Sequence, residues 1–363
     1  MDSKLTINIS NGLKKNLLEN IKSNYILNKL FNNLKRAKLL NLIKYNNYIK
    51  NRLNININDY YECSLIIEIE IKPKKRKYGK FINFHGENQK YYHIYFDDNK
   101  KEIKRNYLIK DDKVIKIKII IENKIKSFES LFYLCECIEA INFKKFNCTN
   151  ITNMSFMFNK CTSLKQLNLD NIDTNNVTDM SNMFSECSLL TELNLNNFNT
   201  NNVTRMDHMF SCCSALKQLN LDNFNTNNVT RMDHMFSYCS SLTQLNLGNF
   251  NTNNVTNMSY MFSYCSSLRK LNLNNFNYNN VIYIGDMFNG CKSLKELNIG
   301  NFNIDYPTYK EDMFEECSSL KELNLSNFYT NNVTIMRWMF SGCLDELKLK
   351  VKSQFKNFKE EAF

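Results

Sequence analysis

The sequence predicts an α/β solenoid, a stack of 26-residue helix-strand coils preceded by a small helical segment and a small β-rich module. Three observations predict it. Cys135, Cys161, Cys187, Cys213, Cys239, Cys265, Cys291, Cys317 and Cys343 recur every 26 residues without one insertion. Met157, Met183, Met209, Met235, Met261, Met287, Met313 and Met339 stand four positions upstream of eight of them, each followed by Phe, with Leu131-Phe132 in the first copy. An alternating segment then closes each unit, as at Leu271-Asn272-Leu273. Units of equal length that cannot bury an apolar face alone are expected to stack on one another.

Composition bounds the turns. Of 363 residues, 43% are hydrophobic, enough for a sizeable core. Only 8 are Gly and 2 are Pro, whereas 62 are Asn. Glycine-rich nucleotide loops, collagen and Pro/Ser linkers are excluded, and Asn must make most of the turns.

From the amino terminus, residues 1–55 form the helical segment, with helical apolar spacing over residues 13–53 that includes Ile26, Leu27, Leu30, Phe31 and Leu34. Residues 56–113 form the basic β-rich module. Its strands are read from the alternation of Ser64 to Ile71 and the aromatic run Tyr91 to Phe96, and Val114 to Ile121 leads into the repeats. The first 126 residues hold 28 Lys and Arg against 13 Asp and Glu, and the remainder 19 against 23. Lys72, Lys74, Lys75, Arg76 and Lys77 cluster in this basic third and resemble a nuclear-import signal or a phosphate-contacting patch. Nucleic acid is not the favoured partner, but the charge does not exclude it.

Residues 114–351 form the solenoid of about nine coils. In one of them, Val255, Met258, Met261, Phe262, Cys265 and Leu268 advance by three or four, the stripe of a short buried helix, with Thr256 as its N-cap. Leu271 and Leu273 point inward from a strand on which Lys270 and Asn272 point outward. The turn Asn223 to Asn228 is anchored by Phe224, and its Asn side chains replace backbone partners and tolerate left-handed torsions. One coil breaks the pattern, with Pro307 and Lys310 in place of Val and Met and with Tyr306 and Tyr309 beside them. Leu344 to Val351 offers a last charged strand, and residues 352–363 form a cap or tail.

The repeat combines Met-Phe, a Cys four after the Met, Ser-Ser-Leu, Leu-Asn-Leu and Asn-Phe-Asn-Thr-Asn-Asn-Val-Thr. Over roughly residues 115–350 it resembles the BspA-type leucine-rich-repeat family. That resemblance implies a leucine-rich-repeat-like solenoid that binds proteins or surfaces, often as a cell-surface adhesin. Residues 24–50 resemble an F-box, which would dock the chain as a substrate adaptor on the linker subunit of a ubiquitin ligase. The usual Leu-Pro opening is replaced by Asn24-Tyr25.

No catalytic constellation is legible, no cofactor is implied and no metal site is assigned. His208 and His234 sit in duplicated units with Asp207 and Asp233, a pairing that duplication explains. The regular single cysteines lack metal-ligand pairing and are read as reduced core thiols, with Cys212 off the pattern. Asn-x-Thr sequons recur at Asn176, Asn202, Asn228, Asn254 and Asn332 and favour a non-glycosylating setting. No apolar run reaches the roughly 18 residues of a membrane helix, and no export signal opens the chain. The expectation is therefore a cytoplasmic or nuclear, non-catalytic protein that recognises an unidentified protein partner. Its interaction face is the outward strand array of Gln166, Asn168, Glu192, Asn194, Gln218, Asn220, Gln244, Asn246, Lys270, Asn272, Glu296, Asn298, Glu322 and Asn324.

Overall fold

The computed structural model describes residues 22–23, 47–53, 65–84, 86–97, 99–122, 125–146, 150–302, 311–323, 337–354 and 360–363. The chain divides into two compact units, Met1–Ile66 and Ile67–Phe363. Within the first, helix α1 (Asn47–Arg52) buries Ile49, and the Arg52 guanidinium donates to the Lys22 carbonyl at 2.8 Å. Most of the F-box-like segment, and the irregular stretch around Pro307, lie outside the described residues.

The second unit opens with strands β1 (Leu65–Pro73), β2 (Gly79–Lys80), β3 (Tyr92–Phe96), β4 (Tyr107–Leu108) and β5 (Ile117–Glu122). These lead to β6 (Ile138–Phe146) and β7 (Gln166–Asn168), and the larger sheet has the order β3-β5-β1-β6-β7. The antiparallel β1 lies between β5 and the first repeat strand, so β5, expected to lead directly into the repeats, is not its neighbour. β1 instead covers the edge of β6, with Ile69 opposite Phe143 and Ile71 opposite Ile141. Three short parallel strands, β8 (Lys270–Asn272), β9 (Glu296–Asn298) and β10 (Glu322–Leu323), form a separate sheet.

The helix-strand solenoid expected from the apolar spacing does not form. Among the described residues the α-helices are α1 and α2 (Asp345–Gln354), and the repeats are turns and short strands. The hydrogen bonds show why. In the segment Phe128 to Cys135, alternate amides leave the repeat: Phe128, Ser130, Phe132 and Leu134 donate to the carbonyls of Asn153, Ser155, Met157 and Asn159, each 25 residues ahead. The intervening amides close four-residue turns, Leu131 to Phe128, Tyr133 to Ser130 and Cys135 to Phe132. The same alternation recurs through the later repeats, for example Phe236 to Met261 and Tyr238 to Ser263. An α-helix would send those amides four residues back within the same segment, so the two patterns are mutually exclusive.

Sequence chemistry supports the turns. Asn153, Asp179 and Asn257 accept the amide two residues on through their side chains, at 2.8, 2.8 and 3.0 Å, a local bond that competes with helix. Thr256 does not cap a helix; its hydroxyl donates to the Thr230 carbonyl of the preceding repeat at 3.3 Å. The apolar stripe is nonetheless inward: Met258, Met261, Phe262, Cys265 and Leu268 are fully buried. From Phe132 through Phe158, Phe184, Phe210, Phe236, Phe262, Phe288 and Phe314 to Phe340, the rings stack at 5.5–5.7 Å, and Phe363 adds a last ring at 5.6 Å. Beside them, the column thiols from Cys161 to Cys343 each donate to the carbonyl of a Phe 29 residues earlier, as Cys239 does to Phe210 at 3.1 Å, whereas Cys135 donates to Tyr133. All eleven described cysteines are free. Burial pushes the column thiols up, to about 12 at Cys213 and Cys291.

Asparagine and threonine hold the turns. Thr200, Thr226 and Thr252 are buried, and each hydroxyl donates to an Asn carbonyl 25 residues ahead while accepting that residue's amide. Asn223 and Asn249 each place Nδ2 against three carbonyls of the preceding repeat, including Leu195 and Leu221. Side-chain amides thus take acceptors that a continuous backbone ladder would have used, and the central copies are not assigned as strand. Phe224 anchors its turn as expected, 2% exposed. Tyr278 stands where the threonines stand. Its ring is 1% exposed and its hydroxyl has no partner among the described residues. Tyr278→Phe is expected to leave the fold intact and to stabilise it by about 1 kcal/mol, since a buried unsatisfied hydroxyl is removed; chemical denaturation checks this.

The carboxyl end also departs from expectation. Residues 345–354 are the helix α2 and not a strand, because Leu347 and Val351, four apart, are the buried positions and Asp345 and Glu346 fill its first turn. The Trp338 and Phe340 amides, at the positions that elsewhere reach the next repeat, donate to Glu361 and Ala362.

Candidate functional site

Two outward surfaces run along the repeats. On the strand face, Gln166, Glu192, Gln218, Gln244, Lys270, Glu296 and Glu322 form one exposed column and Asn168, Asn194, Asn220, Asn246, Asn272 and Asn298 the next. Parallel pairing brings Lys270 opposite Glu296, their side chains 2.8 Å apart, and Asn272 opposite Asn298. Each of these Asn side chains accepts the amide two residues on through Oδ1, at 2.9–3.2 Å. Asn194 and Asn246 also donate to Asp170 and Asp222. Asn324 lies outside the described residues.

The basic cluster sits where β1 ends. Lys72 pairs with Glu139 at 3.0 Å, Lys77 with Glu136 at 3.8 Å, and Lys74 donates to the Ser163 hydroxyl at 3.3 Å. Lys75 and Arg76 are exposed, with Arg76 left-handed. Three of the five cations therefore hold this loop against repeat residues.

The turn face was not legible as a candidate. Every repeat has two left-handed residues, one before the Met and one before the Cys: Phe156 and Lys160, His208 and Cys212, His234 and Tyr238, Tyr260 and Tyr264, Asp286 and Gly290, Asp312 and Glu316, Trp338 and Gly342 are seven of the nine pairs. Where the closing bond is present, as from Leu131 to Phe128, Met261 to Met258 and Cys265 to Phe262, the left-handed residue is the third of a four-residue turn, a position that favours Gly or Asn. Turn Asn tolerate left-handed torsions but do not use them here; of the described Asn only Asn182 has positive φ, and it belongs to these columns. Bulky residues at such torsions are uncommon and carry strain of order 1–3 kcal/mol each, yet the columns are rich in rings. His208 and His234 stack at 4.3 Å, His234 and Tyr260 at 4.5 Å, and Tyr238 and Tyr264 at 4.6 Å. Lining up the repeats would have revealed this signal, because inward positions stay Met, Phe and Cys while these two change from copy to copy.

Charges on this face are unevenly matched. Asp207 and Asp233 are buried and each meets the guanidinium two residues before it, Arg205 or Arg231, at 2.9–3.0 Å. Duplication thus yields two Arg-Asp clamps under a histidine stack, and no group of three or more His, Cys, Asp or Glu among the described residues is arranged to hold a metal ion. Burial lowers the basicity of His208, and burial with the adjoining His208 ring takes His234 to about 4. Further along, the Tyr260 hydroxyl bonds Asp286, and burial with that contact pushes its pKa up to about 12. Burial, with Glu315, Asp286 and Glu311 around it, pushes the Asp312 carboxyl up to about 6.

A pH dependence follows with a definite sign. A histidine depressed below its ordinary 6.5 binds fewer protons folded than unfolded, so its stabilising share is complete above pH 6.5 and is lost as pH falls toward 4. The His208→Gln/His234→Gln double variant is expected to show a shallower fall in Tm between pH 6.5 and 4 than the parent chain, read by thermal denaturation across that range.

Three overlapping stretches, residues 126–245, 191–297 and 239–354, match the model of a family described as Mycoplasma protein of unknown function, DUF285. No curated protein matches the chain. Among the described residues no helix is long and apolar enough to cross a membrane.

Proposed function

We propose that this chain, which belongs to the DUF285 family, is a non-catalytic protein that recognises a protein partner through the outward columns of its repeats. The observation that carries this reading is the strand-face array, where exposed Gln, Glu and Lys side chains repeat in register beside Asn side chains already fixed by their own backbone bonds. Prefixed polar groups lose little freedom on binding, so many weak contacts add up over a broad surface. The likeness of the repeat sequence to BspA-type repeats, a binding family, supports the same reading. The proposed setting is the cytoplasm, which cell fractionation tests.

The experiment is partner capture by cross-linking with the full chain. Changing Gln218→Trp, Gln244→Trp and Lys270→Glu together is expected to abolish capture while the thermal transition is retained, since all three are exposed. Unchanged capture would remove this face from the account.

A further inference from the structure

Each repeat donates forward and accepts backward, so the array is polar: its first repeat is left with acceptors and its final described repeat with donors. Asp312, Phe314 and Glu316 send their amides to the carbonyls of Arg337, Met339 and Ser341 at 3.1, 2.9 and 2.8 Å. Their counterparts one repeat on are Trp338, Phe340 and Gly342. At the first repeat, Asn83 supplies the missing donors. Its amide meets the Leu131 carbonyl at 2.8 Å, and its Nδ2 meets the carbonyls of Ser130 and Tyr133 at 3.0 and 2.8 Å. With β1 along the edge of β6, that end is closed.

The other end is covered by the short segment Glu360 to Phe363. Trp338 and Phe340 donate to Glu361 and Ala362 at 2.7 and 2.8 Å, and the Phe363 ring lies on Phe340 at 5.6 Å. An accepting carbonyl followed by a stacked ring repeats the interior joint, in which Phe314 donates to Met339 and stacks on Phe340 at 5.5 Å. Ala362-Phe363 thus stands in for the Met-Phe of a further repeat, and Ala362 is fully buried. Lys352 fastens the segment, 2.8 Å from Glu360 and 4.5 Å from the Phe363 ring centroid. This joint is thinner than an interior one. The Gly342 amide, whose counterpart at Glu316 reaches Ser341, has no acceptor among the described residues, and Trp338 is 57% exposed. A joint with fewer bonds opens locally before the array as a whole does.

An opened end presents amide donors and a Phe ring, which limits what can cover it. The opened end of a second copy does not fit, because donors would face donors. The first repeat of a second copy does not fit either, because Asn83 and β1 already occupy it. The piece of a second copy that does fit is its own segment Glu360 to Phe363, which offers two carbonyls followed by a ring. We propose that this segment is an exchangeable arm, which caps the final repeat of a second copy and receives that copy's arm in return. Two chains then form a reciprocal dimer through the contacts seen within one chain. This interface goes beyond the recognition reading above and uses none of the strand-face residues.

Arg337 and Glu361 approach to 4.0 Å across this joint, and both side chains are exposed. Arg337→Cys and Glu361→Cys are made in separate full chains, mixed, and treated with a bismaleimide long enough to span two touching side chains, and the linked peptides are identified by mass spectrometry. A link from position 337 of one chain to position 361 of the other, growing with total concentration, is the expected result. Adding Phe363→Ala to the Glu361→Cys chain should abolish it; a link that survives marks chance collision and overturns the proposal. A chain carrying both substitutions, treated at high dilution, should link internally. If that chain links and the mixed chains do not, the segment is a fixed cap and the exchange is rejected. If neither links, the segment does not seat on this repeat and the exchange is rejected as well. In native-state hydrogen exchange, the Trp338 and Phe340 amides of the parent chain should exchange faster than those of Asp312 and Phe314, and equal protection would contradict the opening step. None of these outcomes bears on capture through the strand face, so the two readings fail separately.

Discussion

Phe236→Ala is expected to destabilise the repeat array by about 3–5 kcal/mol, the range for emptying a fully buried Phe site. The ring is 0% exposed and stacks on Phe210 and Phe262 at 5.7 Å on both sides. Its loss therefore opens two repeat interfaces at once. In an array whose stability is close to a sum of repeat and neighbour terms, weakening two adjoining terms uncouples the repeats before position 236 from those after it. Denaturant titration should show a lower midpoint and a broadened or split transition. A single sharp transition displaced by less than 1 kcal/mol would show that the Phe column is not what couples the repeats.

Asn249→Asp is expected to be the second large effect. The parent Nδ2 lies 2.9, 3.4 and 2.7 Å from the carbonyls of Leu221, Asp222 and Phe224 in the preceding repeat. Alanine there leaves those acceptors unmet, at a cost of about 1–3 kcal/mol. Aspartate costs more, because it replaces the donor with a charged acceptor facing the same carbonyls. Asn249→Asp should accordingly fall below Asn249→Ala in denaturation midpoint at neutral pH and approach it in acid, where the carboxyl is protonated and can donate. Equal midpoints for the two variants at neutral pH would mean that the donor role of Asn249 is misassigned.

Much of the packing was legible in the sequence, and the backbone that delivers it was not. The 26-residue recurrence of Met, Phe and Cys correctly marks the inward positions, and Met235, Phe236 and Cys239 are fully buried. A helix and a run of four-residue turns produce nearly the same spacing, however, since each turn sets its first and last residues three apart and the helix repeats every 3.6. Periodicity over a segment as short as Met258 to Leu268 does not separate them; what decides is where alternate amides go, and the partner of the Phe236 amide is Met261, in another repeat. The misreading of Thr256 as a cap has the same origin. Leu347 and Val351 were ambiguous for the opposite reason: a run of alternating Leu, Lys and Val fits a strand, whereas the structure buries these two residues, four apart, on one face of a helix.

Among the described residues of the strand-face array, Gln218, Gln244 and Lys270 are exposed while Leu219, Leu245 and Leu271 between them and the Asn column are buried, the alternation on which the reading of that face rests. The turn-face columns were hidden because Asp286, Asp312 and Trp338 are unremarkable one at a time. Only stacking of the repeats brings them into one column after Tyr260.

The central claim, that the repeats are joined by amides reaching 25 residues ahead, has a direct test in solution. Through-hydrogen-bond scalar coupling measured by NMR on the deuterated full chain identifies the carbonyl that accepts each amide. Coupling from the Phe236 amide to the Met261 carbonyl and from the Tyr238 amide to the Ser263 carbonyl is the predicted result. Coupling from the Phe236 amide to the Met232 carbonyl, four residues back, would mean that helices build the repeats, and would contradict it.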